Sequence, residues 1–302
     1  MPEQGIVESV KNGIVSTIRG SGDIVNAVID TVADTLTNVI RHTGTVTTSL
    51  IGALSDTARA SVQGASQVGG DIGAAAKGAV LGALRSTRET STEAVTTIRT
   101  AATGAVEGAS DVAGSLARVA KGAVQGAISG AKELGLNTVD AISAATTGAL
   151  EAAGGIVKGT SRTGSSVIEA SSDIVRSAVQ GIVEIGGDVG AGAKGILLGV
   201  IRGTKETGTE ALETISATAG GVVKGTSEVA GDIGKAAKGA VEGAISGAKE
   251  ISLDSTEAAS AAATGALKAA GEIGASAAEE VRKAVTGTIS GVKVVLKEPF
   301  KR

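Results

Sequence analysis

The chain has 302 residues, with one Phe, one His, two Pro and no Cys, Trp or Tyr, while 53 Ala and 46 Gly fill about a third of it. Disulfides, Cys-based metal sites, His-cluster metal sites and His-containing catalytic triads are thereby excluded, and large catalytic cores lack their usual material. With 28 basic against 31 acidic residues and a pI near 5.4, the balance opposes nucleic-acid binding, and a mean hydropathy of +0.26 opposes a fully disordered polyampholyte.

The N-terminal stretch MPEQGIVESVKNGIV has neither an uninterrupted apolar region nor a cleavage site, so no secretory signal is read. The longest uncharged run, His42 to Ser55, is 14 residues and Thr-rich, too short and polar for a spanning helix. The expected location is the cytoplasm, in solution or peripheral to a membrane or lipid body. His42, with no second His and no Cys, reads as an ordinary polar residue.

Internal repetition sets the architecture. Shifting the sequence by 117 residues lays Asp71–Glu133 on Asp188–Glu250 without a gap, with 38 identities in 63 positions. The chain is expected to be a single elongated repeat array over 1–302, with an N-terminal partial repeat at 1–29, full repeats at 30–146 and 147–263, and a partial repeat with a basic tail at 264–302. Within each copy AKGAV or its variant recurs every 44 residues, at 76–80, 120–124, 193–197 and 237–241.

Forty-four is four elevens, and eleven residues make three helical turns. Binned modulo 11, all thirteen charged residues of 71–133 fall in four of the eleven classes. The expected fold is all-α, built of long, Pro-free amphipathic helices with hendecad periodicity, arranged as antiparallel hairpins or a bundle. Break signals at Gly20–Asp23, Gly69–Asp71, Gly135–Asn137, Gly186–Asp188 and 252–254 cut the chain into helices near 24–69, 71–134, 138–186, 188–251 and 255–297. Asn137 with Asp140 and Asp254 with Glu257 have the spacing of capping boxes.

So much Gly weakens isolated helices, by about 1 kcal/mol per Gly relative to Ala, so packing must supply their stability. Gly78, Gly82, Gly122, Gly126, Gly130, Gly195, Gly199, Gly239, Gly243 and Gly247 recur every four residues as ridges where two backbones approach. Val80, Leu84, Val124, Ile128, Leu197, Ile201, Val241 and Ile245 form the accompanying apolar face.

Signals for chemistry are sparse. GAGAKG at 190–195 fits G-x-G-x-x-G, but no strand precedes it and the sister copy has Ala75 in place of Gly192. Glu89 and Glu93, beside Arg85 and Arg88, read as a solvated ion-pair stripe rather than a metal site. In 281–302 Arg282, Lys283, Lys293, Lys297, Lys301 and Arg302 face the single acid Glu298, with Val and Leu between them. Lys293, Lys297, Lys301 and Arg302 are candidates for membrane or partner contact, against a plain basic helix end stopped by Pro299. No cofactor, metal or catalytic residue is expected.

GTKETGTEAL (203–212), GAVEGAISGAKE (239–250) and TTGALEAAGGIVKGT (146–160) resemble the eleven-residue repeats of synucleins and perilipins, with a likeness to late-embryogenesis-abundant proteins. That resemblance implies helices that form on lipid surfaces or protect other structures under stress. The function expected is a non-enzymatic structural protein that self-assembles through its Gly/Ala-rich faces into a homo-oligomeric bundle, ring or tube, with an apolar face or lumen for lipid or another hydrophobic molecule. The alternatives are a monomeric amphipathic coat on a droplet, granule or membrane, and a stress-protective or spacer rod that binds no lipid.

Overall fold

The computed structural model describes residues 11–13, 15–16, 23–43, 47–90, 94–109, 116–159, 164–207 and 211–296. The described chain is all-α apart from one small hairpin. Its helices are α1 (Ile24–Thr43), α2 (Thr47–Gln67), α3 (Ile72–Thr90), α4 (Ala94–Gly108), α5 (Leu116–Leu134), α6 (Thr138–Gly159), α7 (Gly164–Glu184), α8 (Val189–Thr207), α9 (Ala211–Glu228), α10 (Ile233–Glu250), α11 (Ser255–Ile273) and α12 (Ala275–Val285). Strands β1 (Gly287–Ile289) and β2 (Val292–Val294) come next and pair antiparallel.

The expected breaks at 69–71, 135–137, 186–188 and 252–254 are turns, but the helices are 11 to 22 residues long rather than up to 64. The span 71–134 holds three helices, as does 188–251. The physical reason lies in the spacing. Helices α3 to α6 start at 72, 94, 116 and 138, and α8 to α11 at 189, 211, 233 and 255, each a step of 22 residues. Within each of these two rows a helix plus its connection therefore occupies two elevens, so the charge pattern keeps its modulo-11 phase across the breaks inside the row. The pattern of one long helix and that of a row of short ones are the same, and 44 is the pitch of a helical hairpin.

Among the described residues one turn design recurs five times. After α2, α5, α7, α9 and α10 a residue takes a left-handed φ: Gly69 (+68°), Gly135 (+67°), Gly186 (+65°), Ala230 (+53°) and Ser252 (+58°). The next N–H returns to a helix carbonyl five residues back, Gly70 to Ala65, Leu136 to Ala131, Gly187 to Ile182, Gly231 to Thr226 and Leu253 to Ala248, at 2.8–2.9 Å. That closes the orphan carbonyls of the helix end. Asp71, Asn137, Asp188, Asp232 or Asp254 then accepts an N–H from the first turn of the following helix.

The chain divides into two compact units, 1–162 and 163–302. The expected repeat boundary at 146/147 falls inside α6. In the first unit α3 packs on α1 and α5, and α4 on α2 and α6. In the second α10 packs on α8 and α12, and α9 on α7 and α11. Consecutive helices in each unit also pack, which makes each unit a two-layer stack of hairpins, the α-solenoid arrangement. Ala and small aliphatic residues fill the interior, with Leu36, Leu54, Leu84, Ile98 and Ile128 among the largest fully buried side chains of the first unit, and Ile174, Ile182, Ile196, Leu197, Ile201 and Ile215 among those of the second.

The helix expected to run to 297 stops at Val285. Thr288, Ile289, Val292 and Val294 favour extended backbone, and Ser290 and Gly291, both at positive φ, make the tight turn between them.

Candidate interaction surfaces

Helices α3, α5 and α10 are held by glycines pressed onto the helix two before them. A Cβ placed on Gly126 would lie 2.5 Å from the Lys77 carbonyl oxygen and 3.1 Å from Val80 Cβ; in the second unit Gly243 meets the Lys194 oxygen at 2.5 Å and Leu197 Cβ at 2.8 Å. Gly122 faces the Gly73 carbonyl and Gly239 the Gly190 carbonyl more closely still. Gly78 is set against Val25 O and Val28, and Gly82 against Ile29 O and Val32. Gly130 closes on Leu84 and Gly247 on Ile201. Gly195 and Gly199 are buried on α8. The contacts step forward together, Gly122 on Gly73 and Gly126 on Lys77, so the two helices run parallel.

The apolar residues lie on the same seams. Val80, Leu84, Val124, Ile128, Leu197, Ile201, Val241 and Ile245 are each at most 1% exposed within the chain. The other layer has glycines of its own that the expected ridges leave out, Gly104 on Ser55, Gly148 on Arg99 and Gly265 on Ser216, all against carbonyl oxygens. Their signal is present in the spacing: Gly104 and Gly148 stand 44 apart, and Gly148 and Gly265 stand 117 apart.

Ion pairs cross the same seams at the helix ends. Arg59–Glu107, Arg85–Glu133, Arg99–Glu151, Arg176–Glu228, Arg202–Glu250 and Lys224–Glu272 each join a helix to the next but one, 48 or 52 residues on. Most of these glutamates sit in the last turn of a helix, where the macrodipole disfavours an anion, and the cation from the neighbouring helix offsets that. Arg85 thus reaches α5 rather than serving only a local stripe. The side chain of Glu89, and Glu93 altogether, lie outside the described residues, as does the side chain of His42 on α1.

The stretch 190–195 is helix within α8, and Gly190 packs its carbonyl against Gly239, so the formal glycine pattern serves packing. Among the described residues no group of three or more His, Asp or Glu side chains is arranged to hold a metal. Lys293 is exposed on β2; Lys297, Lys301 and Arg302 lie outside the described residues. Among the described residues no helix is long and apolar enough to cross a membrane.

Among the described residues three carboxyls are held below their ordinary values. Asp254 accepts the backbone N–H groups of Glu257 and Thr256; Glu272 is hydrogen-bonded by Lys224, and Glu279 by Lys283. All belong to caps or ion pairs.

No protein-family model matches the chain, and no curated protein matches it in sequence.

Proposed function

We propose that the chain is a non-enzymatic structural protein, a repeat scaffold or spacer that keeps its apolar seams inside each chain and offers an ion-paired exterior to solvent and to protein neighbours. The observation that supports this is the intrachain seam itself, where Gly126 on Lys77 and Gly243 on Lys194 bring helix backbones together and leave the flanking aliphatic residues covered. The self-assembling, lipid-lined oligomer expected from the sequence drew its driving force from a wide uncovered helix face. Among the described residues the exposed large hydrophobics are Val95, Leu136, Ile273 and Val295, on separate elements, which falls short of a contiguous patch. A cytoplasmic location belongs to the same proposal.

Native mass spectrometry of the purified protein, with organic extraction of anything bound, tests it. A single chain of 29.1 kDa without lipid is the expected result. A discrete oligomer carrying lipid would overturn it and restore the lipid-filled assembly.

One observation favours a second reading, a coat on a lipid droplet, granule or membrane. Each buried seam is a helix face, so parting α3 from α5 would present Val80, Leu84, Val124 and Ile128 together to an acyl surface. Anionic and neutral liposomes should leave the far-ultraviolet circular dichroism and the sedimentation of a scaffold unchanged; co-flotation with the vesicles would establish the coat instead.

A further inference from the structure

The duplication gives each position of α3–α6 a counterpart in α8–α11, and the charges of the two layers differ in what they keep. On α3 and α5 each described cation has a cation as its counterpart: Lys77 and Lys194, Arg85 and Arg202, Arg118 and Lys235, Lys121 and Lys238, Lys132 and Lys249. On α4 and α6 the charges change, with Arg99 against Ser216, Glu107 against Lys224 and Glu151 against Lys268. Exposed side chains ordinarily vary at little cost to stability. Arg85 is held by its ion pair with Glu133, but among the described residues Lys77, Arg118 and Lys132 stand in none.

These cations form a row along the α3–α5 seam. Gly126 lies on Lys77, which sets Lys77 just over one turn beyond Lys121, and Arg85 reaches Glu133, beside Lys132, at the far end. From Arg118 to Lys132 the row runs about 21 Å. Between Lys121 and Lys132 the half-buried positions Gln125 and Ser129 are uncharged. The described acids on the two helices are Glu133, which holds Arg85, and Glu107 lies on the other layer; Asp71 caps the start of α3. In the second unit Glu242 takes the place of Gln125 and Asp232 pairs with Lys235, so the same row is interrupted there. The row is also narrow. On the other side of α3, α1 exposes Asp23, Asp30 and Asp34.

We propose that the solvent-exposed side of the α3–α5 seam is a docking surface for an acidic helical segment of a partner protein, with carboxylates of that segment set against Lys121, Lys77 and Lys132. The inference rests on the scaffold reading and names the class of neighbour the scaffold holds. Charge complementarity selects an acidic partner, and the width of the row selects its form. A flat anionic membrane, or a nucleic-acid duplex, would bring phosphates against Asp23, Asp30 and Asp34 as well, whereas a helix about 10 Å across lies within the row. Among the described residues no exposed large hydrophobic stands on α3 or α5 to enter a bilayer. Lysines, as single-point charges without a guanidinium fork, suit spaced carboxylates.

The test is fluorescence anisotropy of the full chain with a labelled Ala-rich peptide of about 15 residues that carries Glu along one helical face, and a control peptide with Gln in place of Glu. The expected result is saturable binding of the Glu peptide alone, weakening as salt rises from about 50 to about 300 mM. Lys77→Gln, Lys121→Gln and Lys132→Gln together should weaken it about tenfold, and Gln125→Glu, which copies the second unit, about threefold. Lys194→Gln, Lys238→Gln and Lys249→Gln together should change it less than about twofold. Circular dichroism checks that each variant stays folded, and Gln125→Glu keeps the test readable where the triple variant unfolds. A wild type that ignores the Glu peptide overturns the proposal, as does binding indifferent to Gln125→Glu and the first triple variant, or equal loss from the second. Tighter capture of phosphatidylserine vesicles or duplex DNA through the same three lysines also overturns it. A lipid-carrying wild-type oligomer would defeat the scaffold reading alone, and a lipid-free monomer indifferent to the peptide would defeat this proposal alone.

Discussion

Arg202 and Glu250 face one another across two parallel helices through a two-pronged ion pair, Nε to Oε2 at 2.8 Å and Nη2 to Oε1 at 2.8 Å, though 48 residues separate them in the chain. The fork geometry fixes both the register and the angle of α10 on α8. Both side chains are about a third or more exposed, which limits the pair's contribution to at most about 1 kcal/mol. Arg202→Ala is expected to destabilise by that amount or less in urea titration, and 1 M salt should shrink the difference. Glu250→Arg should cost more than Arg202→Ala, and adding Arg202→Glu to it should recover most of the loss.

The glycines divide into two sorts with opposite responses to alanine. Gly122 lies against the Gly73 carbonyl, so Gly122→Ala forces the α3 and α5 backbones apart and is expected to destabilise by about 1–3 kcal/mol. Gly52 and Gly271 have nothing within 4 Å of an added Cβ and lie inside helices, so Ala at either should stabilise by about 0.5–1 kcal/mol. Thermal melts of the three single variants decide this, and equal shifts would contradict the seam.

Ala230 holds a left-handed φ that Gly69 and Gly186 hold at the equivalent turns. A Cβ costs about 1 kcal/mol in that conformation, so Ala230→Gly is expected to raise stability by most of that and Gly69→Ala to lower it by a similar amount. Chemical denaturation midpoints of the two variants should move in opposite directions.

Acid weakens the caps and pairs in a defined direction. Asp254, Glu272 and Glu279 have folded-state values below their unfolded ones, so each contributes its stabilisation in full above the unfolded carboxylate range and loses it as pH falls through the folded value. Unfolding midpoints should therefore hold level near neutrality and fall below about pH 4. Asp254→Asn keeps a good N-cap without a titrating group and should flatten part of that fall. Asp232→Ala, which removes the acceptor for the Lys235 N–H, should cost about 1 kcal/mol at neutral pH.

Much of this was legible in the residues. Gly-Gly-Asp at 69–71 and 186–188 announces a helix end and a helix start, and both are turns of that kind. The turn at 230–232 makes the same hydrogen bonds but begins with Ala, which carries no mark of left-handed backbone, so the helix appeared to run on to 251. The 44-residue recurrence of AKGAV was visible, yet its meaning depended on whether the chain turned within it, and a 22-residue step hides that from any count modulo 11. The apolar face was legible as a face; its covering was not, because Gly122 and Gly73 are linked only by a spacing of 49, which has no helical meaning until two helices are laid side by side. The β-hairpin was legible only in part, from the β-branched run around Ser290 and Gly291.

The fixed step between helix starts also limits how such a chain can change length. A single residue inserted within α3 would turn the remainder of the helix by about 100°, swinging Lys77 and Val80 away from Gly126, or Arg85 away from Glu133, according to where it falls. A whole hairpin of 44 residues carries with it a ridge, a receiving face and both ends of an ion pair, and can be added or removed without disturbing the register of the other hairpins. Growth by small increments is closed to this architecture, and duplication of whole helices with their connections is the route left open: the 117-residue repeat carries five of them, two 44-residue hairpins and the 21-residue α7 with its connections.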